Sequence, residues 1–121
     1  MTQNEVMRVR QLLARRKAKH IRDLGAEMAR LTETAAALGV QRVIAFGSMA
    51  QDNPGLSSDL DLLIVWDTPL DFLTRTAELY QQLQPQVAVD LLVYTPDEMV
   101  QMAQTPFIRN ALESGRLLYE A

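Results

Sequence analysis

The sequence contains no cysteine and a single histidine, His20. Disulfide bonds and thiolate metal sites are therefore excluded, and so is a zinc site built from several imidazoles. Any metal would have to be a hard cation bound through oxygen atoms, with magnesium or manganese as the candidates.

Long apolar runs are also missing. No run approaches the length needed to span a bilayer, and the first thirty residues carry too much charge for a signal peptide. We therefore expect a cytoplasmic protein with no membrane association. The 121 residues, of which 48% are hydrophobic and 22% charged, are typical of a single compact domain.

Positive charge is scarce beyond residue 40. Residues 41–121 hold four Lys/Arg against eleven Asp/Glu, whereas residues 1–40 hold eight against four. The resulting balances of −7 and +4 add up to the net charge of −3. We therefore predict a basic N-terminal helical arm over residues 1–40 and an acidic core over residues 41–121, within one domain.

The arm has the pattern of a helix. Thr2 and Glu5 form a T-x-x-E capping box, and Gly39 is a natural helix end. Between them, apolar residues recur every three or four positions, which predicts one long helix or two in series, with a break near Gly25 or near the basic segment Arg15–Lys19. That segment can be a solvated face, a contact for a partner protein, or a contact for RNA or nucleotide phosphate.

Three short apolar runs predict neighbouring strands, over Arg42–Phe46, Leu60–Trp66 and Val87–Tyr94. Turn-forming residues fill positions 51–58 between the first two. Threonine-proline pairs at 68–69, 95–96 and 105–106 predict three helix starts. The first of these helices should direct its apolar residues to the core, the last should end at Gly115, and residues 117–119 could add a strand. The apolar residues of the first helix are Phe72, Leu73, Leu79 and Leu83.

Two aspartates open the second predicted strand. Asp59 and Asp61 are two positions apart, so they share one face of the strand, and Leu60 points the opposite way. Aspartate forms strands poorly, so this pair calls for an explanation. Asp59 alone could be a turn or cap residue, but Asp61 precedes an apolar run that is committed to the interior.

Asp90 lies within the third predicted strand, between Val89 and Leu91. A carboxylate buried there would cost several kcal/mol unless it were paired, hydrogen-bonded or bound to a metal. A salt bridge to one of the few arginines of residues 41–121 is one solution. A divalent ion is the other, and it would also relieve the repulsion among three carboxylates.

Gly47 and Ser48 follow the first predicted strand. A glycine lets the backbone approach a phosphate closely, and a serine hydroxyl adds a donor. Taken alone, a Gly-Ser pair after a strand is most often only a turn. The pair gains meaning from its spacing to Asp59 and Asp61.

In combination, Gly47-Ser48, Asp59-x-Asp61 and the distant Asp90 in VDLLVY resemble the motif of the DNA polymerase beta nucleotidyltransferase superfamily. Specifically, the chain is similar to the minimal nucleotidyltransferases, small antitoxins encoded beside a helical HEPN ribonuclease toxin. The resemblance covers residues 41–121, including the tail PFIRNALESGRLLYE. It implies an α/β fold of the α+β type, with a small mixed β-sheet, flanking helices and here an extended N-terminal helical arm.

The resemblance also implies an activity and a set of roles. Gly47 and Ser48 would bind the terminal phosphates of ATP. Asp59 and Asp61 would bind two magnesium ions, and Asp90 would complete one metal site and help to activate the attacking hydroxyl. The enzyme would transfer AMP from ATP to a tyrosine of the cognate HEPN toxin and so silence it, and it could form a homo-oligomer or a hetero-oligomer with the toxin.

The sequence departs from the family pattern after Ala50. The family usually shows Ala-Arg-Gly, whereas here Gln51 and Asp52 follow. Loss of the arginine and gain of an acid would weaken triphosphate binding. An inactive antitoxin that neutralises its toxin by binding alone is therefore the first alternative. An RNA- or nucleotide-binding regulator that uses the basic arm is the second.

Overall fold

The computed structural model describes residues 1–47 and 60–121. The predicted residues Ser48, Gln51, Asp52 and Asp59, and the predicted loop 51–58, lie outside these ranges. In chain order the elements are α1 (Gln3–Ala37), β1 (Arg42–Phe46), β2 (Leu60–Val65), α2 (Phe72–Leu83), β3 (Val89–Tyr94), α3 (Pro96–Met102), α4 (Pro106–Ser114) and β4 (Arg116–Glu120).

The strands of the described residues form one mixed sheet in the order β3–β2–β1–β4. β1 runs antiparallel to both β2 and β4, whereas β2 and β3 are parallel neighbours. A parallel pair needs a crossover connection, and α2 is the helix in that connection. The predicted fold class, a small mixed sheet with flanking helices, is confirmed, and the three predicted strands are adjacent.

Alternating side chains give the sheet two different faces. Leu60, Leu62 and Ile64 of β2 belong to a core with α1 and α2. Leu63 and Val65 belong to a smaller core with α3 and α4. All five side chains are at most 3% exposed. β2 is therefore buried on both sides, which explains its nearly continuous apolar sequence.

Helix α1 is a single unbroken helix. Thr2 caps it by accepting a hydrogen bond from the Glu5 N–H at 3.2 Å, and Gly39 takes the left-handed conformation, with φ of 92°, just beyond its end. Burial begins only at Leu24, and Leu13 is 56% exposed although it continues the apolar spacing. The division into an arm of residues 1–40 and a core of 41–121 stays a prediction.

The predicted start of α2 is wrong. The helix begins at Phe72 rather than after Thr68-Pro69, because Asp71 is the N-cap and accepts a hydrogen bond from the Thr74 N–H at 2.8 Å. The buried residues of α2 are Arg75, Leu79 and Leu83, so the expected burial of Leu79 and Leu83 is confirmed. Phe72 and Leu73, which were expected in the core, are 41% and 77% exposed.

The other two threonine-proline starts are confirmed. Thr95 and Glu98 form a reciprocal capping box at the start of α3, and Pro106 opens α4. Gly115 ends α4 and leads directly into β4. A Cβ atom at Gly115 would collide with the carbonyl oxygens of Ala111 and Ala45, so this glycine allows α4 to lie close against β1.

Candidate active site

Asp61 and Asp90 stand opposite each other on neighbouring strands. They are register partners in the parallel pair of β2 and β3, where strands lie about 4.8 Å apart. Side-chain alternation puts both on the face that α3 and α4 cover, because Leu60, Leu62, Val89 and Leu91 all belong to the opposite core. Two carboxylates that are 29 positions apart in the sequence are thus brought side by side.

The expected burial of Asp90 is wrong. Its side chain is exposed, whereas Asp61 is half-buried. Val89 and Leu91, the apolar neighbours that suggested burial, point into the opposite core, and β3 is one of the two edge strands of the sheet that the described residues form. Asp90 therefore avoids the desolvation cost that its sequence context implied.

Arg75 is one of the arginines that could pair with Asp90, but it interacts with Glu98 and the Val93 carbonyl instead. Its guanidinium is buried and donates hydrogen bonds to Glu98 and to the Val93 carbonyl. The hydrogen bond from Arg75, assisted by the Thr95 N–H, lowers the pKa of Glu98. Within residues 1–47 and 60–121, the Asp90 carboxylate has no hydrogen bond or ion pair.

Gly47 lies directly against Asp61. It follows Phe46, the register partner of Asp61 in β1, and its φ of 78° is in the left-handed region that glycine favours. A Cβ atom at Gly47 would lie only 2.6 Å from Oδ2 of Asp61. The absence of a side chain therefore leaves room for the carboxylate at the mouth of the site.

The described carboxylates fit part of a site for a hard cation. Asp61 and Asp90 offer oxygen atoms on one face, as Mg²⁺ prefers, and two adjacent negative charges repel each other unless a cation intervenes. Among the described residues, no group of three or more His, Cys, Asp or Glu side chains is placed to hold a metal. Asp59 and Ser48, the other predicted ligands, lie outside that part of the chain.

Tyr80 makes two hydrogen bonds to β3, the strand that carries Asp90. Its hydroxyl donates to the Val89 carbonyl at 2.6 Å and accepts from the Leu91 N–H at 3.1 Å. These two backbone groups flank Asp90 on the outer edge of β3. The sequence analysis missed this role, because only the packing of α2 beside β3 shows that the tyrosine reaches the strand.

Two open cavities meet at Asp61. The first, of about 380 Å³, lies between the Gly47 turn and α4, and the second, of about 270 Å³, contains both Asp61 and Asp90. Phe46 and Phe107 line both cavities, with ring centroids 5.9 Å apart and ring planes at 88°. The aromatic pair therefore stands between two compartments that share one carboxylate.

Sequence reasoning also missed the wall that α4 contributes. Phe107, Asn110 and Ser114 line the first cavity, and their spacing of three and four residues places them on one helix face. Ile108 and Ala111 are buried on another face. The Thr105-Pro106 pair marks where α4 begins, so the sequence shows which residues share a face of this helix. It does not show which of these faces meets the carboxylates.

Comparisons with known proteins agree with this fold. The family model for the polymerase beta nucleotidyltransferase domain matches residues 30–121. A protein of Methanocaldococcus jannaschii named as a putative protein adenylyltransferase is 31% identical over 80 residues, which cover 66% of this chain and 79% of that protein. Its similarity extends to two thirds of this chain, so the match is not confined to the short motif.

A solved structure gives the same picture of the fold. The crystal structure of a putative nucleotidyltransferase from Sulfolobus solfataricus superposes with a TM-score of 0.62 at 17% identity, covering 85% of this chain and 86% of that one. In the described ranges, no helix combines the length and apolarity that crossing a membrane requires.

Proposed function

Because this chain belongs to the polymerase beta nucleotidyltransferase family, we propose that it is a magnesium-dependent protein adenylyltransferase. Its proposed reaction transfers AMP from ATP to a tyrosine of a cognate HEPN ribonuclease toxin. The chain would thereby act as the antitoxin of a cytoplasmic toxin–antitoxin pair. The observation that carries the proposal is the register of Asp61 opposite Asp90 beside Gly47.

The proposed reaction is an in-line displacement at the α-phosphorus of ATP. The tyrosine oxygen forms the new bond to phosphorus, the bond from the α-phosphorus to the oxygen bridging to the β-phosphorus breaks, and pyrophosphate leaves. Asp61 and Asp90, together with Asp59, would hold the magnesium, which would supply positive charge to stabilise the attacking and leaving oxygens.

The residues of the chain have separate tasks in this proposal. Asp90, exposed beside the second cavity, orients the tyrosine hydroxyl and accepts its proton. Gly47 leaves the backbone open to the terminal phosphates, and Ser48 adds a hydroxyl donor. Asp61 lines both cavities and would hold the magnesium ion between the donor side and the acceptor side.

A catalytically inactive antitoxin is the second candidate. The observation that favours it is Gln51-Asp52 in place of the Arg-Gly pair that the resemblance leads one to expect. Neutralisation would then depend on occluding the toxin, and the carboxylates of the site would be dispensable. The two candidates predict opposite outcomes for the same variant.

The test uses ATP labelled at the α-phosphate, magnesium and the candidate partner protein. We expect the wild-type chain to label the partner on tyrosine and Asp61→Asn to reduce the labelling rate at least a hundredfold. Asp67→Asn is the matched control, because Asp67 is exposed just beyond the opposite end of β2. It should label the partner at the wild-type rate.

The outcomes separate the candidates. Absence of labelling by the wild-type chain would overturn the adenylyltransferase proposal. If Asp61→Asn also neutralised the toxin as well as the wild type does, the binding antitoxin would take its place. If RNA bound the chain with an affinity that fell steeply with salt, the basic arm would have a nucleic-acid role instead.

A further inference from the structure

We propose that the cavity between the Gly47 turn and α4 binds the nucleoside part of the donor nucleotide, with Phe107 and Asn110 as the residues that recognise it. This inference rests on the proposed function, because it assumes that a nucleotide is bound at Gly47. It adds a binding site for the base and ribose, which the carboxylates and the glycine turn do not provide.

The position of α4 creates this cavity. Ile108 and Ala111 are 1% and 4% exposed, and they anchor the helix on the sheet beside β1. Gly115 lets the helix end approach Ala45 of β1 closely. The face of α4 that carries Phe107, Asn110 and Ser114 therefore lies beside Gly47, and a largely preformed wall is typical of small-molecule sites.

The size and charge of the cavity favour a neutral ligand group. Its volume of about 380 Å³ lies within the range of about 300–1,000 Å³ that is typical of small-molecule sites. Of the described side chains that line it, only Asp61 is charged, and it sits where the cavity meets the Gly47 turn. Away from Asp61 and Gly47 the lining residues are uncharged, which suits a neutral base and ribose.

Phe107 provides an aromatic surface for a base. Phe107 is 61% exposed, so its side chain is accessible to a ligand in the cavity. The perpendicular contact with Phe46 fixes its position beside the cavity. Stacking of a base on an aromatic side chain contributes about 1–3 kcal/mol, so Phe107 can supply a substantial part of the affinity for a nucleoside.

Asn110 provides a donor and an acceptor one turn further along α4. Its side chain is exposed on the cavity wall, and within the described residues its amide group has no hydrogen-bond partner. A primary amide offers one carbonyl oxygen and two N–H donors. That set matches the polar edge of a purine or the hydroxyl groups of a ribose.

In this proposal the first cavity holds the donor nucleotide and the second holds the acceptor tyrosine. The first has Gly47 and the α4 wall on the donor side, and the second has Asp90 and the exposed edge of β3 on the acceptor side. The pair of Phe46 and Phe107 separates them. In this arrangement the nucleoside and the acceptor tyrosine approach Asp61 from opposite sides of the same aromatic pair.

Calorimetric titration of the full chain in magnesium buffer tests the inference with two probes, ATP and inorganic tripolyphosphate. We expect ATP to bind more tightly than tripolyphosphate. Phe107→Ala and Asn110→Ala should each weaken ATP binding about tenfold and leave tripolyphosphate binding unchanged. Phe107→Trp keeps an aromatic surface and should retain the wild-type affinity for ATP.

Matched controls come from exposed positions away from the cavity. Val100→Ala removes a side chain that is 68% exposed on α3, and Gln81→Ala removes an exposed amide on α2. Neither should change the affinity for ATP. The circular dichroism spectrum and the thermal midpoint of each variant establish that it is folded before it is titrated.

Each outcome has a distinct meaning. If the wild type binds ATP and the Phe107 and Asn110 variants bind it equally well, the nucleoside site is overturned while the proposed function stands. If those variants keep ATP affinity but lose label transfer to the partner, the cavity holds the acceptor and the inference is wrong. If the wild type binds neither probe, the proposed function fails and the inference fails with it.

Discussion

The two faces of the sheet are covered to different extents, and that difference locates the site. Toward one face, α1 and α2 span 35 and 12 residues. Toward the other, α3 and α4 span only seven and nine residues, or about 10 Å and about 13 Å. The six residues of β2 extend for about 20 Å. On the side of the short helices the start of β2 is the less covered end, because Asp61 is only half-buried there whereas Leu63 is 0% exposed.

Asp61 and Leu62 show the consequence at adjacent positions. Leu62 points to the fully covered face and is 1% exposed, whereas Asp61 points to the partly covered face and is only half-buried. Leu63, the next residue on that second face, is again 0% exposed. Full coverage gives stability, and incomplete coverage leaves a carboxylate in contact with water at the end of an apolar strand.

The largest expected effect on stability comes from the covered face. Leu62→Ala removes a fully buried side chain and leaves a cavity, so it should lower the free energy of unfolding by about 2–5 kcal/mol. Chemical denaturation measures the loss, and Leu73→Ala is the control, because Leu73 is 77% exposed. A loss below about 1 kcal/mol for Leu62→Ala would show that the two faces do not differ in this way.

A smaller effect is expected where the glycine turn meets Asp61. Gly47→Ala should cost about 1–2 kcal/mol, because the residue would have to adopt a left-handed conformation, and the new methyl group would displace the Asp61 carboxylate. Magnesium-dependent nucleotide binding should fall as well. Calorimetry and denaturation measure the two losses.

Gly25→Ala is the control for that variant. Gly25 lies within α1, and an added Cβ atom would meet nothing within 4 Å. Alanine should therefore stabilise the helix by about 0.5–1 kcal/mol. If both substitutions changed stability in the same direction, the glycine turn would not differ from a helical position in the way proposed.

Lowering the pH should reduce the stability of the fold on the covered face, because Glu27 becomes protonated. Hydrogen bonds from Arg30 and from the Gln86 N–H lower its pKa below the ordinary value of 4.5. Since the folded-state pKa is lower than the unfolded one, the charged carboxylate stabilises the fold above pH 4.5. That contribution is lost as the pH falls from 4.5 through the lower folded-state value.

The measurement is the free energy of unfolding as a function of pH. Glu27→Gln should be less stable than the wild type at pH 7, and the difference should shrink below pH 4.5. Arg30 also donates to the carbonyls of Leu83 and Gln84, so the link from α1 to the end of α2 would be only partly lost. A constant difference between pH 7 and pH 3 would contradict the prediction.

The smallest effect is expected in the first half of α1. Leu13→Ser should change stability by less than about 0.5 kcal/mol, because Leu13 is 56% exposed. Leu31→Ser, on the same helix but 0% exposed, should be severely destabilising. A loss above about 1 kcal/mol for Leu13→Ser would mean that this half of α1 is packed in solution, and a dependence on protein concentration would identify a second copy as the partner.

Much of the fold was predictable because its signals are local. The strands, the caps at Thr2 and Thr95 and the helix end at Gly115 follow from short patterns of residues. The start of α2 could not be predicted from such a pattern, because Thr68 and Asp71 are both good caps and lie three residues apart. The choice between them depends on which face of α2 packs, and that face carries Arg75 and Leu79.

The candidate site was predictable only in part. The spacing of Asp61 and Asp90 within apolar runs pointed to neighbouring strands, and their register agrees with this expectation. The exposure of Asp90 could not be read from its neighbours, because Val89 and Leu91 face the other side of the sheet. The roles of Gly47, Ser48, Asp59, Asp61 and Asp90 stay predictions, as do the magnesium ions, ATP and the HEPN partner.

The hydrogen bonds of Tyr80 have a consequence for self-association. β3 is an edge strand, and the free N–H and C=O groups of such an edge can pair with a strand from another molecule. Tyr80 already occupies the Val89 carbonyl and the Leu91 N–H, and the charge of Asp90 lies between them. An incoming strand would have to displace a hydroxyl and approach a carboxylate, so the open end of the sheet stays available to ligands while sheet extension at this edge is opposed.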